Sequence, residues 1–254
     1  MFQKAMTCTR LALAVGMFST VALAQGNTRS TERPDFTGVW TTYRAPGAQA
    51  GRGGGGGAAQ AALPYTPLAQ RKIDEYQALV RPTGDTPGGY CLGTGMPGSM
   101  LGSGGYPMEI IQRPDQITIV YEAHNEIRRV YFGSRVLPVA DRLPERNGYS
   151  VGRWEGNTLV VETTQLVEIV SQRFAHSDQA RIVERYTLSE ENGRKVLTAE
   201  MTMTDPTFYK TPVSDTKKWS GVPNGFLMTY ECNEPIWAKR IEELQKKVAA
   251  PAAK

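Results

Sequence analysis

Histidine is scarce in this chain. Among 254 residues there are two, His124 and His176, and three cysteines, Cys8, Cys91 and Cys232. Neither a His-x-His nor a Cys-x-x-Cys pair occurs, so no recognised transition-metal ligand spacing is present. An Asp/Asn-rich calcium loop is missing too. So are the glycine fingerprints that cradle nucleotide phosphates, and no cofactor is expected. Charge of one sign is not in excess: 29 Lys+Arg face 25 Asp+Glu, a net +4. The basic residues are scattered, which excludes an electrostatic nucleic-acid binder. Apart from the N-terminal stretch, no apolar run approaches the 18 residues of a membrane-spanning helix.

What is present describes a globular, turn-rich chain. Hydrophobic residues make up 40% and charged residues 21%, which argues against wholesale disorder. With 26 Gly and 16 Pro, many turns and few long helices are expected.

Residues 1–24 read as a secretory signal. Lys4 and Arg10 precede an apolar stretch, Leu11 to Ala24, and Ala22-Leu23-Ala24 forms an A-x-A cleavage site before Gln25. Export and cleavage would leave two cysteines, Cys91 and Cys232. An even pair in an exported chain predicts one disulfide; the alternative is two separate thiols. The expected compartment is periplasmic or secreted, with no stable membrane insertion after cleavage.

Residues 25–34 read as a disordered mature N-terminus. A domain over 35–235 follows, with a Gly-rich flexible loop at 46–62 that holds Gly53 to Gly57. Thr66 and Pro67 start a helix that stops near Arg81-Pro82. Residues 83–106 are Gly-rich and irregular.

From residue 107 short strands repeat. Met108–Arg113, Gln116–Glu122 and Glu126–Phe132 come first, with His124 expected in an exposed turn. Tyr149–Glu155 and Thr158–Thr164 flank Gly156-Asn157, and Ala180–Ser189 and Lys195–Thr204 flank Asn192-Gly193, a strong hairpin signal. Phe208–Val213 and Phe226–Cys232 read as the last strands. With a first strand near Val39-Trp40, about ten antiparallel strands result, and closure removes the edges such a sheet would leave. The fold class is all-β: an antiparallel meander closing into a barrel. Residues 236–254 form a C-terminal helix and tail, its apolar side built from Ile236, Trp237, Ile241, Leu244 and Val248.

Two resemblances follow from these residues. Gly38-Val39-Trp40 resembles the Gly-x-Trp of lipocalin-like (calycin) barrels, in which the Trp plugs one end; that family's supporting Arg is absent from Phe226–Cys232. A broader set is similar to a widespread family of uncharacterised exported bacterial β-rich proteins. It comprises Pro34-Asp35-Phe36-Thr37-Gly38-Val39-Trp40, Gly95-Met96-Pro97, Tyr106-Pro107-Met108-Glu109-Ile110-Ile111-Gln112, Gly152-Arg153-Trp154-Glu155-Gly156-Asn157-Thr158-Leu159-Val160-Val161-Glu162-Thr163 and His176-Ser177. That similarity implies a compact secreted β domain and brings no activity with it.

Three functional readings are consistent with the residues. In the first, the protein is an exported small-molecule binder with a pocket in the barrel. Its candidate ligand-binding residues are Glu109, Tyr121, Arg128, Tyr131, Arg153 and Arg185. Strand alternation must turn some of these inward, where an Arg/Glu network with tyrosines would suit a polar-aromatic ligand. A barrel filled by its own side chains would remove this reading. The second is a metal-independent isomerase, lyase or hydrolase using His176 with a nearby carboxylate such as Glu184 or Glu109. Gly148-Tyr149-Ser150-Val151-Gly152 matches G-x-S-x-G, but Ser150 falls in a strand instead of a strand-to-helix elbow. The third is an envelope structural or interaction module with a solid core and an exposed apolar patch.

Overall fold

The computed structural model describes residues 33–45, 62–102 and 105–249. The expected signal segment, the rest of the N-terminus to residue 32 and nearly all of the 46–62 stretch lie outside the described residues.

Nine strands close into one barrel in chain order. They are β1 (Gly38–Thr42), β2 (Met108–Gln112), β3 (Gln116–Tyr121), β4 (Glu126–Tyr131), β5 (Tyr149–Glu155), β6 (Thr158–Thr164), β7 (Arg181–Glu191), β8 (Arg194–Thr204) and β9 (Val213–Val222). β1 joins β9 across Val39↔Val222 to Thr42↔Trp219, which completes the circle. Inward positions alternate along each strand, as in β3, where Ile117, Ile119 and Tyr121 are buried.

The expected meander differs from the observed one in three places. β4 and β5 pair in parallel, through Val130↔Ser150 and Tyr131↔Val151. The chain leaves β4 at Phe132 and makes an excursion over 132–148, so it re-enters the sheet running in the same direction. The last strand is Val213–Val222, whose Asp215, Lys217 and Lys218 disrupt the apolar alternation in the sequence; only Val213 and Trp219 are fully buried there. Phe208–Val213 and Phe226–Cys232 are not strands. The latter is held by side chains, with the Asn125 amide donating to the Tyr230 carbonyl at 3.0 Å and the Met228 N–H donating to Glu122 at 2.7 Å.

Among the described residues, three α-helices accompany the barrel. α1 (Pro67–Val80) starts as its sequence dictates, with Thr66 Oγ1 accepting from the Ala69 N–H and Pro67 in the first turn. α2 is the single turn Gly98–Leu101, and α3 spans Asn233–Ala249. Of the expected apolar stripe on α3, Trp237 is 65% exposed, while the side chains of Leu244 and Val248 lie outside the described residues. None of the described helices is long and apolar enough to cross a membrane. Cys91 and Cys232 form a disulfide.

Trp40 is buried, and its indole N–H donates to the Phe36 carbonyl at 2.9 Å. Phe36 in turn packs on Trp154 with ring centroids 5.5 Å apart. Burial of each such side chain stabilises the fold by about 1.5–3 kcal/mol. Gly152 shows how tightly the wall is packed: a Cβ there would come within 2.4 Å of the Phe132 ring.

Candidate functional site

Period-two alternation divides the charged strand residues into two sets. Arg128 and Glu184 point into the barrel and are 1% and 0% exposed. They form an ion pair, with Arg128 Nη1 donating to Glu184 Oε1 at 2.9 Å and Nη2 donating to Oε2. Arg128 Nε donates to Ser150 Oγ at 3.0 Å and Nη2 also reaches Thr163 Oγ1 at 2.7 Å. Tyr186 donates its proton to Glu184 Oε1 at 2.7 Å, with Met100 Sδ 3.4 Å from the same hydroxyl. Burial alone would lower the Arg128 pKa. The adjoining carboxylate more than offsets that and raises it well above its ordinary value. Burial pushes Tyr121 up to about 12, and its buried hydroxyl has no well-formed hydrogen bond to any described residue.

The lumen is therefore occupied by the chain's own side chains. Met108 faces Tyr121 across β2 and β3, and Met201 faces Glu184 across β7 and β8. Both methionines are buried, as is Met100 of α2. The segment that brings Met100 in is held by Glu126. Its carboxylate accepts from the Thr94 and Gly95 N–H groups at 3.1 and 2.9 Å and from Ser99 Oγ at 2.9 Å. Gly95 has φ +71°, and a Cβ there would lie 2.6 Å from the Arg146 carbonyl, so only glycine lets the segment approach this closely.

The remaining candidate residues lie elsewhere. Arg153 and Arg185 are on the outer wall and both pair with Glu155. Tyr131 stacks on Tyr149 at 5.1 Å, also on the outer wall, and Glu109 alternates outward between buried Met108 and Ile110.

His176 is fully buried. Its Nε2 is 2.9 Å from the Met96 carbonyl and its Nδ1 is 3.0 Å from the Ser177 carbonyl, so both ring nitrogens face backbone and neither meets a carboxylate. Glu184 is engaged by Arg128 and Tyr186 instead. Asp205 accepts from the neighbouring Ser177, through its N–H at 2.7 Å and its hydroxyl at 2.9 Å. Burial lowers the His176 pKa, and its carbonyl partners only partly offset this. Above its lowered pKa the folded ring is neutral and donates to only one of the two carbonyls, whereas the unfolded chain takes up a proton below about pH 6.5. The stability from His176 is present above that pH and is lost as pH falls. Urea melts between pH 7 and 5 should show stability falling with pH, and His176→Gln should reduce that slope by up to about 1.4 kcal/mol per pH unit. An unchanged slope would contradict the assignment.

His124 differs from its expected exposed position. Its ring lies against Tyr230 at 4.9 Å, and its Nδ1 is buried with no hydrogen-bond partner among the described residues.

Four surface cavities bear on binding. One of about 240 Å³ on the outer wall involves Arg142, Arg153 and Glu162, whose charges are already engaged. One of about 430 Å³ is lined only by α1 and its end, Asp74 to Pro82. One of about 290 Å³ separates α3 from the 84–90 turn. The fourth, of about 390 Å³, has an apolar wall drawn from three separate chain segments: Tyr76 and Val80 of α1, Pro87 and Leu92 beside the disulfide, and Ile169 and Val170 between β6 and β7. Arg146, Asp85 and Glu168 add polar groups. Size, convergent apolar walls and few polar groups are the features of a ligand site. The Cys91–Cys232 bridge anchors one wall, and the Lys72–Glu168 ion pair joins α1 to the opposite one.

No local sequence signal marks this cleft. Arg146 precedes a strand in a connection, where functional groups are often carried, but its neighbours come from residues far away in the chain. No protein-family model, curated protein or solved structure matches this chain.

Proposed function

We propose that the protein is an exported small-molecule binder whose site is the 390 Å³ cleft at residues 76–92, 146 and 168–171, and not the barrel lumen. The carrying observation is that the lumen is packed while this cleft has room, apolar walls and a cation. The disulfide supports export, since such bridges persist in oxidising compartments. The hydrogen-bonded surroundings of His176 give the enzyme reading no acid–base pair.

Native mass spectrometry tests this on protein released gently from the envelope of its source. A retained small molecule is expected in the natural chain, and it should be lost when Ser171→Trp fills the cleft. A retained molecule unaffected by Ser171→Trp would place the site elsewhere.

A second reading has its own support. The solid core, together with exposed Phe226 (74%), Met228 (63%) and Trp237 (65%), fits an interaction module that carries no ligand. That reading gains if no small molecule is retained.

A further inference from the structure

Arg146 decides what kind of ligand the cleft accepts. Its Nε donates to the Gly93 carbonyl at 3.0 Å and its Nη2 to the Thr94 carbonyl at 3.3 Å. These bonds fix the guanidinium plane, and Nη1 makes no hydrogen bond to any described residue. Arg146 is only partly buried, and Nη1 is not among the buried side-chain atoms left without a partner, so it keeps some exposure. The two acids of the cleft are already engaged. Glu168 accepts from Lys72 Nζ at 2.8 and 2.6 Å, and Asp85 accepts from Thr83 Oγ1 at 2.7 Å and from the Tyr90 hydroxyl at 3.2 Å. Among the described residues that line the cleft, Arg146 is the one cation. Around it the surface is apolar and open: Tyr90 is 64% and Leu92 45% exposed at the rim.

From this arrangement we infer that the cleft binds an anionic amphiphile, with a carboxylate or sulfonate on Arg146 and an aromatic or branched aliphatic body between Tyr76, Leu92 and Ile169. A fixed guanidinium with free N–H groups suits an oxyanion, because charge-assisted hydrogen bonds are about twice as strong as neutral ones. A partly dehydrated cation attracts that anion more than one in open water. The same partial burial lowers the Arg146 pKa, and Glu126 and Tyr76 partly offset the effect. This inference rests on the cleft being the binding site.

Two fluorescent probes of nearly the same shape separate the inference from that reading. 8-Anilinonaphthalene-1-sulfonate carries an anionic group, and N-phenyl-1-naphthylamine is its uncharged counterpart. Both are titrated into the natural protein and into Arg146→Met, Arg146→Lys and Ser171→Trp. Both should bind the natural protein, and Ser171→Trp should abolish both. Arg146→Met should weaken the sulfonate probe by about tenfold or more and the neutral probe by less than about twofold, with Arg146→Lys falling between. The neutral probe also reports whether the Arg146→Met cleft still forms. If both probes bind and Arg146→Met weakens them equally, the anion preference is overturned and the cleft reading stands. If neither binds, or Ser171→Trp changes nothing, both are overturned.

Discussion

Replacing Arg128 with methionine should lower the unfolding free energy by about 3–5 kcal/mol. The substitution keeps much of the volume but leaves the Glu184 carboxylate in the barrel interior with only Tyr186 to satisfy it. Ser150 and Thr163 lose their guanidinium donors but still bond to each other at 2.8 Å, so their contribution to the loss is small. The double variant Arg128→Met/Glu184→Leu removes both charges and should recover most of the loss, since a buried ion pair is often no more stabilising than apolar side chains of equal volume. Urea melts of the two singles and the double, analysed as a cycle, give the coupling directly. A single-variant loss below about 1 kcal/mol would mean that water reaches Glu184, and the packed-lumen description would fail with it.

The second large effect belongs to the disulfide. Cys91 and Cys232 are 141 residues apart, and closing a loop of that size restricts the unfolded chain by as much as about 5 kcal/mol in the chain-entropy model. Cys91→Ser/Cys232→Ser should therefore lose about 2–5 kcal/mol in denaturant melts. The loss should fall unevenly over the molecule. The barrel closes without the bridge, through β1 and β9, whereas the 85–92 wall of the cleft and the start of α3 depend on it. Hydrogen exchange should accordingly rise first in residues 85–92 and 233–240, with the amides of β7 and β8 still protected. A loss under about 1 kcal/mol, or uniform deprotection, would contradict this.

Much of the fold was legible because hairpins are local. Gly156-Asn157 and Asn192-Gly193 announce their turns, and β5 and β6 fall at the residues where alternation places them. The Thr66-Pro67 start of α1 is likewise a matter of adjacent residues. β9 was not legible: Asp215 and Lys217 stand at positions that alternate with buried Val213 and Trp219, so the segment looks like a polar loop, and its strand character comes from pairing with β8 and β1. The parallel β4–β5 pair depends on where the 132–148 excursion returns, which no local signal encodes. At the site, alternation could foresee that some of the charged strand residues face inward. It could not say that Arg128 and Glu184 would satisfy each other and fill the lumen. The cleft was less legible still, because Tyr76, Leu92, Arg146 and Ile169 meet only through tertiary packing.

The proposed binding site lies outside the tube. A high-resolution crystal structure of protein isolated from its native envelope tests it most directly. Density for a small molecule is expected between α1, the disulfide-anchored turn and Ile169, with an oxyanion on Arg146, and Arg128 still paired to Glu184. Density among Tyr121, Arg128 and Tyr186, with that ion pair opened, would contradict it.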